Sequence, residues 1–542
     1  MRWRSGLTVG LVLIAVTPAW CRGDEPPSQP ASRPLAELAE LAPSSSFALA
    51  EWINARLELE WSKLAQTPAL CDDSTFCRRA YLDLVGRIPS VSELRDFLAD
   101  QGTDKRSRLV EALTTSDENA LESSPAHAEH VGRVWRRIML PPGTPGAAMG
   151  GQLEPWLVTQ FEKNTGFDQV TRELVIATPS PAPRPAVGVP QQAGGAAVFS
   201  LAVGGMPENM ADHVTRIFLG TRIGCAQCHD HPFASWKKSD FWGMAAFFQP
   251  QAAPATTEAG AVPTIANVLA AIQGNGTSYQ PKFLGGERAK PQSGKSGREI
   301  LAEWMTAPEN SLFAATIVNR TWQQMCGRGL ILAVDDLDQA DTKEKGRLLD
   351  DLARLFVRAK YNHRWLVQGI AKSRAYQLAA LAEEGEEQPL WTGRRPLKAL
   401  GADQMFDSLE QALLLPITKG DREAARHNGL RGTILARLDE SAGRSPEDYA
   451  AGIPQVLLLM NGPLTSTATE LKASRTLRAV VEAPFLSPEL KLETLFLATV
   501  SRPPTKTEAE KLLAYVEAQQ GHEGWGAVFW ALINSPEFAL SR

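Results

Sequence analysis

The chain has 542 residues, 44% of them hydrophobic, and a formal net charge of -5, so it is long enough for more than one domain and apolar enough to build packed cores. That balance excludes a disordered chain, and the absence of a basic excess excludes the electrostatic footprint of a nucleic-acid binder. Six cysteines in this length are too few for a disulfide scaffold.

Residues 1–23 read as a secretory signal peptide. Met1-Arg2-Trp3-Arg4 is the charged start, Leu7 to Val16 is an apolar stretch too short to span a bilayer comfortably, and Ala19, Cys21 and Gly23 are the small or polar residues that follow. This implies a periplasmic or secreted protein, with no membrane span beyond the signal. Residues 24–46, rich in Pro, Ala and Ser, read as a flexible linker.

An N-terminal helical domain is expected over 47–248. Ser74 to Val85 forms a helical stripe stopped by Gly86-Arg87-Ile88-Pro89, and Ser90-Val91-Ser92-Glu93 is a capping box that starts the next helix. The same text returns near the C-terminus. Phe496 to Glu508 aligns without gaps on Tyr81 to Glu93, and Leu532 to Phe538 resembles Leu113 to Glu118. Two such units are a reused helical hairpin, too few for a solenoid. Cys71 and Cys77 leave open both a mutual disulfide and a buried helical Cys77, whereas Cys326, amid Trp322-Gln323-Gln324-Met325, reads as a buried apolar residue.

Two Pro- and Gly-rich stretches, Ala177 to Ala197 and Gln249 to Gly297, read as loops. Between them a helix begins at Pro207, carries Met210, Val214, Ile217 and Phe218 on its apolar side, and is expected to run through Cys225 until Pro232 ends it. With 249–284 as a linker, 285–542 forms a second helical domain, whose core face includes Trp304, Phe313, Ile317, Val318 and Trp322. Alternating runs of Val, Ile and Thr are sparse. The fold class is therefore mainly α, two helical regions joined by Pro/Gly-rich loops with little β.

The chemistry-bearing text is Cys225-Ala226-Gln227-Cys228-His229, continuing into Asp230-His231-Pro232-Phe233. CxxCH is the attachment pattern for haem c: two thiols reach the two vinyl groups and the adjacent imidazole takes an axial position on iron. Met206, Met210, Met244, His213 and His231 are candidates for the sixth ligand. Cys225, Cys228, His229 and His231 also form a two-sulfur, two-nitrogen set suited to tetrahedral zinc or another structural metal, which would make the protein a non-enzymatic envelope scaffold, and a disulfide or packing role for Cys225 and Cys228 stays open. The haem reading implies electron transfer with a redox partner protein in the cell envelope. The acidic run Asp335 to Asp341 lacks the Gly and Glu of an EF-hand loop and reads as a solvated loop or cap; Arg320 reads as a buried or capping cation. No nucleophile elbow, phosphate loop or HExxH is present, so no catalytic residue is assigned.

Several segments in order resemble two cytochrome-associated families of secreted planctomycete proteins. Asp72 to Leu84 (DDSTFCRRAYLDL), with Phe218-Leu219-Gly220 leading to Cys225 through Phe233, is similar to domain of unknown function 1549. Asn310-Ser311-Leu312-Phe313, Val318-Asn319-Arg320-Thr321-Trp322, Gly327-Arg328-Gly329-Leu330 and Ser373-Arg374-Ala375-Tyr376-Gln377 are similar to domain of unknown function 1553. The resemblance implies a cytochrome-like protein and brings no established reaction with it. Cys77 departs from the apolar residue usual at its position, and Asp341-Thr342-Lys343-Glu344 departs from a Pro- and His-containing segment.

Overall fold

Helix signals in the sequence become helices with the caps they predict. In the computed structural model, which describes residues 35–64, 67–115, 125–141, 144, 146–178, 195–250, 269–274, 276–337, 346–380, 393, 395–414, 429, 431–435, 470–471, 474–519 and 522–542, helices dominate. The first ones are α1 (Leu35–Leu41), α2 (Ser46–Trp61), α3 (Asp73–Leu84), α4 (Val91–Ala99) and α5 (Lys105–Thr114). They are followed by α6 (Ala126–Met139), α7 (Gly150–Glu162), α8 (Phe167–Ile176), α9 (Ala197–Ala202), α10 (Pro207–Leu219) and α11 (Lys238–Ala246). After these come α12 (Gly297–Met305), α13 (Ser311–Cys326), α14 (Gly346–Arg358), α15 (His363–Lys372), α16 (Arg374–Gln377) and α17 (Ala402–Leu413). The described strands are short and form two antiparallel pairs, β1 (Ile272–Gly274) with β2 (Thr277–Tyr279) and β3 (Lys398–Ala399) with β4 (Leu540–Ser541). The protein is mainly α.

The linker expected over 24–46 is helical from Leu35, because Leu38 and Ala42 lie four apart, on one face, and are buried in the core. Residues 1–23, expected to be a signal peptide, and most of the stretch from Ala177 to Ala197 lie outside the described residues, as do Ser116 to Glu118 and Asp341 to Glu344. Cys71, Cys77 and Cys326 are free and buried. Cys77 packs in the core face of α3, and burial pushes its thiol well above the usual range.

The repeated hairpin is repeated in detail. Tyr81 and Phe496 lie in the last turn of equivalent helices, Asp73–Leu84 and Pro488–Thr499, and the chain leaves through a left-handed residue, Gly86 (φ 86°) or Ser501 (φ 58°). Arg87 and Arg502 then form forked pairs with Glu93 and Glu508 at 2.7–2.9 Å and 2.8 Å. Each guanidinium also lies over the ring six positions earlier, 5.3 Å from Tyr81 and 5.4 Å from Phe496. Ser90–Glu93 and Thr505–Glu508 close the two capping boxes. The copies meet: Arg95 donates to Thr494 Oγ1 at 3.0 Å, and Leu82 and Ile88 are buried with Leu495 and Phe496.

The hydrophobic clusters run across the 249–284 stretch. One runs from Leu38 to Leu378, adds Leu497, and includes Phe218 of α10 with Trp322 of α13; the other joins Leu82 and Ile88 to residues between Leu400 and Phe538. Signature residues of the two resembling regions meet at its edge. Tyr376 Oη donates to Asp83 Oδ2 at 2.9 Å, and Arg79 donates to the carbonyls of Tyr376 and Leu378.

Candidate functional site

The CxxCH segment is positioned by the end of α10. Pro207 starts this helix, and Met210, Val214, Ile217 and Phe218 are completely buried along one side. The helix stops at Leu219, six residues before Cys225, so the motif is not on its last turns as the sequence reading expected. Gly220 ends it with φ 57°, its N–H donating back to the Thr215 carbonyl. The glycine is also a close-approach point, since a Cβ there would sit 2.8 Å from Thr316 Oγ1 and 2.9 Å from Leu337. Gly220→Ala is therefore expected to cost about 1–3 kcal/mol from overpacking and left-handed strain, read as a lowered urea midpoint against wild type; an unchanged midpoint would refute this account.

Arg320 on α13 completes the stop. It is buried, and its Nε and Nη2 donate to the carbonyls of Ile217 and Arg216 at 3.1 and 2.9 Å, supplying donors and positive charge where α10 leaves carbonyls unpaired. Asp335 pairs with Arg320 and also meets Arg222 at 3.3 Å and Arg216 at 3.5 Å. Burial alone would raise the Asp335 carboxyl, but these guanidinium groups hold it below its usual value. The acidic run thus contributes an ion-pair anchor at its first residue; residues 338–341 lie outside the described residues.

Beyond Gly220, Thr221 and Ile223 are buried and Gly224–Gln227 forms a 3-10 turn. Ala226 is buried, its N–H donating to the Ile223 carbonyl at 2.8 Å, while Trp242 Nε1 on α11 donates to the Gln227 carbonyl at 3.0 Å. Cys225 and Cys228 are exposed free thiols. Cys225 lies within the turn and Cys228 caps it, so both thiols are open to solvent at one short stretch of backbone.

His229 is exposed, and its Nδ1 lies 2.7 Å from the Asp230 carbonyl. A carbonyl has no proton to give, so Nδ1 carries the hydrogen and Nε2 keeps its lone pair for a ligand. His231 is half-buried, and its Nδ1 accepts from the N–H groups of Phe233 and Ala234 at 3.2 and 2.9 Å. Asp230 Oδ1 accepts from Lys238 N at 2.9 Å, at the start of α11. Phe233 is 89% exposed.

The four zinc candidates are neighbours in sequence, but among the described residues no group of three or more His, Cys, Asp or Glu side chains is arranged to hold a metal ion. Of the candidate sixth ligands, Met210 and Met244 are core residues with no exposed surface, while Met206 is exposed. His213 is partly covered, its Nδ1 donating to the Asn209 carbonyl at 3.2 Å, and burial together with Arg216 lowers its pKa. Sequence reasoning missed Gly220 as the stop and Trp242 as a support; a Gly right after Leu219 was the available signal for the first.

Two family models match. Residues 50–253 match PSCyt2, described as a protein of unknown function (DUF1549), and residues 297–425 match PSD1, described as a protein of unknown function (DUF1553). No curated protein and no solved structure matches. The CxxCH turn thus belongs to the first matched region, and the arginine that caps its supporting helix belongs to the second.

Proposed function

We propose, for a chain that belongs to the DUF1549 family over its first region and to the DUF1553 family over its second, that CxxCH carries covalent haem c in an exported electron-transfer protein. Cys225 and Cys228 would anchor the group through thioethers, and His229 Nε2 would be the proximal ligand. The observation that carries this reading is the His229 Nδ1–H donation to the Asp230 carbonyl beside two exposed thiols. That bond orients the ring and leaves the outer nitrogen as a base, as a ligating imidazole requires. When bound, haem supplies one-electron redox chemistry; the protein's part is to fix the turn through Ala226, Trp242 and the Arg320-capped helix. The exposed position of the turn and the leader-like residues 1–23 support the reading of a redox partner in the cell envelope.

The zinc alternative, with Cys225, Cys228, His229 and His231 in a scaffold protein, has less support. His231 Nδ1 is occupied by two backbone N–H groups, and closing a tetrahedral set would need the turn to be rebuilt.

The test is a visible spectrum with a pyridine haemochrome assay on protein made in a periplasm with active c-type haem maturation. A c-type band that survives denaturation in wild type and is lost in Cys225→Ala/Cys228→Ala is the expected result. A colourless wild-type protein under those conditions overturns the proposal and makes zinc analysis the next measurement.

A further inference from the structure

We infer that in the cofactor-free chain Cys225 and Cys228 form a reversible dithiol/disulfide couple, a covalent modification site for a small organic disulfide. This does not rest on the haem reading, since it concerns the thiols before any other group takes them.

The turn geometry suits the bond. Cys225 lies in the 3-10 turn and Cys228 is the residue that caps it; three residues at a rise of about 2.0 Å span about 6 Å, within the roughly 4.4–6.8 Å between Cα atoms that disulfides span. The intervening residues are held from behind, Ala226 by burial and Gln227 by Trp242. Gly224 is also packed closely, since a Cβ there would meet Asp212 Oδ1 at 2.7 Å. Both thiols therefore stay open to solvent while the backbone beneath them is fixed. The contrast with the other described cysteines is steric: Cys71, Cys77 and Cys326 are buried, out of reach of an oxidant in solution.

The chemistry balances with one oxidant. A thiolate from the pair attacks a sulfur of R–S–S–R, forming a mixed disulfide and releasing the first R–SH after protonation. The second thiolate then attacks the mixed disulfide and releases the second R–SH. Two cysteine S–H bonds and one S–S bond are consumed, one S–S bond and two R–SH form, and two electrons pass from the cysteines to the oxidant.

Oxidised glutathione is the probe. The full chain, produced in a cytoplasm without haem attachment and first reduced, is treated with it, then denatured, alkylated without reductant and peptide-mapped by mass. The expected result is a peptide containing Cys225 and Cys228 that is lighter by two hydrogens, refuses alkylation, and regains both thiols with dithiothreitol. In Cys225→Ser, Cys228 should instead hold a single glutathione. Wild-type protein with both residues alkylated, with glutathione on each, or with either bridged to another cysteine overturns the inference. None of these outcomes bears on the haemochrome result.

Discussion

Asp83→Ala is expected to destabilise the protein by about 3–5 kcal/mol, the usual cost of removing one partner from a buried ionic cluster. The Asp83 side chain is fully buried on α3. Its oxygens meet Lys398 Nζ, Arg395 Nη2 at 3.5 Å and Tyr376 Oη at 2.9 Å. Arg79 and Arg395 both lie over the Tyr376 ring, 5.6 and 4.9 Å from its centroid, so the tyrosine is surrounded by cations that the carboxylate balances. With Ala at 83, the buried Arg395 loses its anion and, among the described residues, keeps carbonyl acceptors, Met325 at 2.7 Å and Tyr376 at 3.4 Å. Tyr376→Phe removes one hydrogen bond to a charged group and should cost less, about 1.5–3 kcal/mol. Urea unfolding of both variants checks this. A loss below about 1 kcal/mol for Asp83→Ala would show that the cluster is hydrated and that this account of it fails.

Stability should fall steeply as pH drops below 6.5. Three histidines are buried, and burial holds them neutral: His127 is lowered to about 4, and His130 and His363 to about 3. His127 Nδ1 donates to the Leu84 carbonyl at 2.8 Å, and His363 Nε2 accepts from Trp135 Nε1 at 3.3 Å, a bond that protonation would remove. Unfolded, each imidazole titrates at its ordinary value of 6.5. Between 6.5 and the folded values the unfolded chain therefore binds up to three more protons, and stability decreases as pH falls. Each proton contributes about 1.4 kcal/mol per pH unit, so the limiting slope is about 4 kcal/mol per unit, enough over two units to consume a stability of roughly 5–15 kcal/mol. Urea midpoints at pH values from 8 down to about 4 measure it. The expected profile is flat above 7 and steep below 6.5, with His363→Gln shallower by about one proton; a flat wild-type profile down to 4.5 would refute the assignment.

Much of the scaffold is readable locally. Ser90 and Thr505 each stand three residues before a Glu, and the structure closes both boxes because the bonds involved join residues three apart. Leu38 and Ala42 carried a helical signal that a Pro-, Ala- and Ser-rich composition hid, which is why residues from 35 on fold instead of serving as a linker. At the candidate site, the presence of two thiols and an imidazole was legible, and their placement was not. A helix running into Cys225 satisfied the apolar spacing up to Phe218, but Gly220 turns left-handed there, and the contacts that make this stop favourable come from Thr316, Leu337 and Arg320, about a hundred residues away.

What the sequence by itself determined is the mainly α class, the order of the two family regions and the duplicated hairpin, because caps and helical stripes act over three to eight residues. Only the tertiary structure decided that Asp83 is paired with Arg395 and Lys398 and hydrogen-bonded by Tyr376, and that CxxCH sits on an open 3-10 turn backed by Trp242. These depend on groups far apart in the chain, and their pairing is fixed by the need to satisfy buried charges and carbonyls once the cores close, a demand that no local spacing encodes.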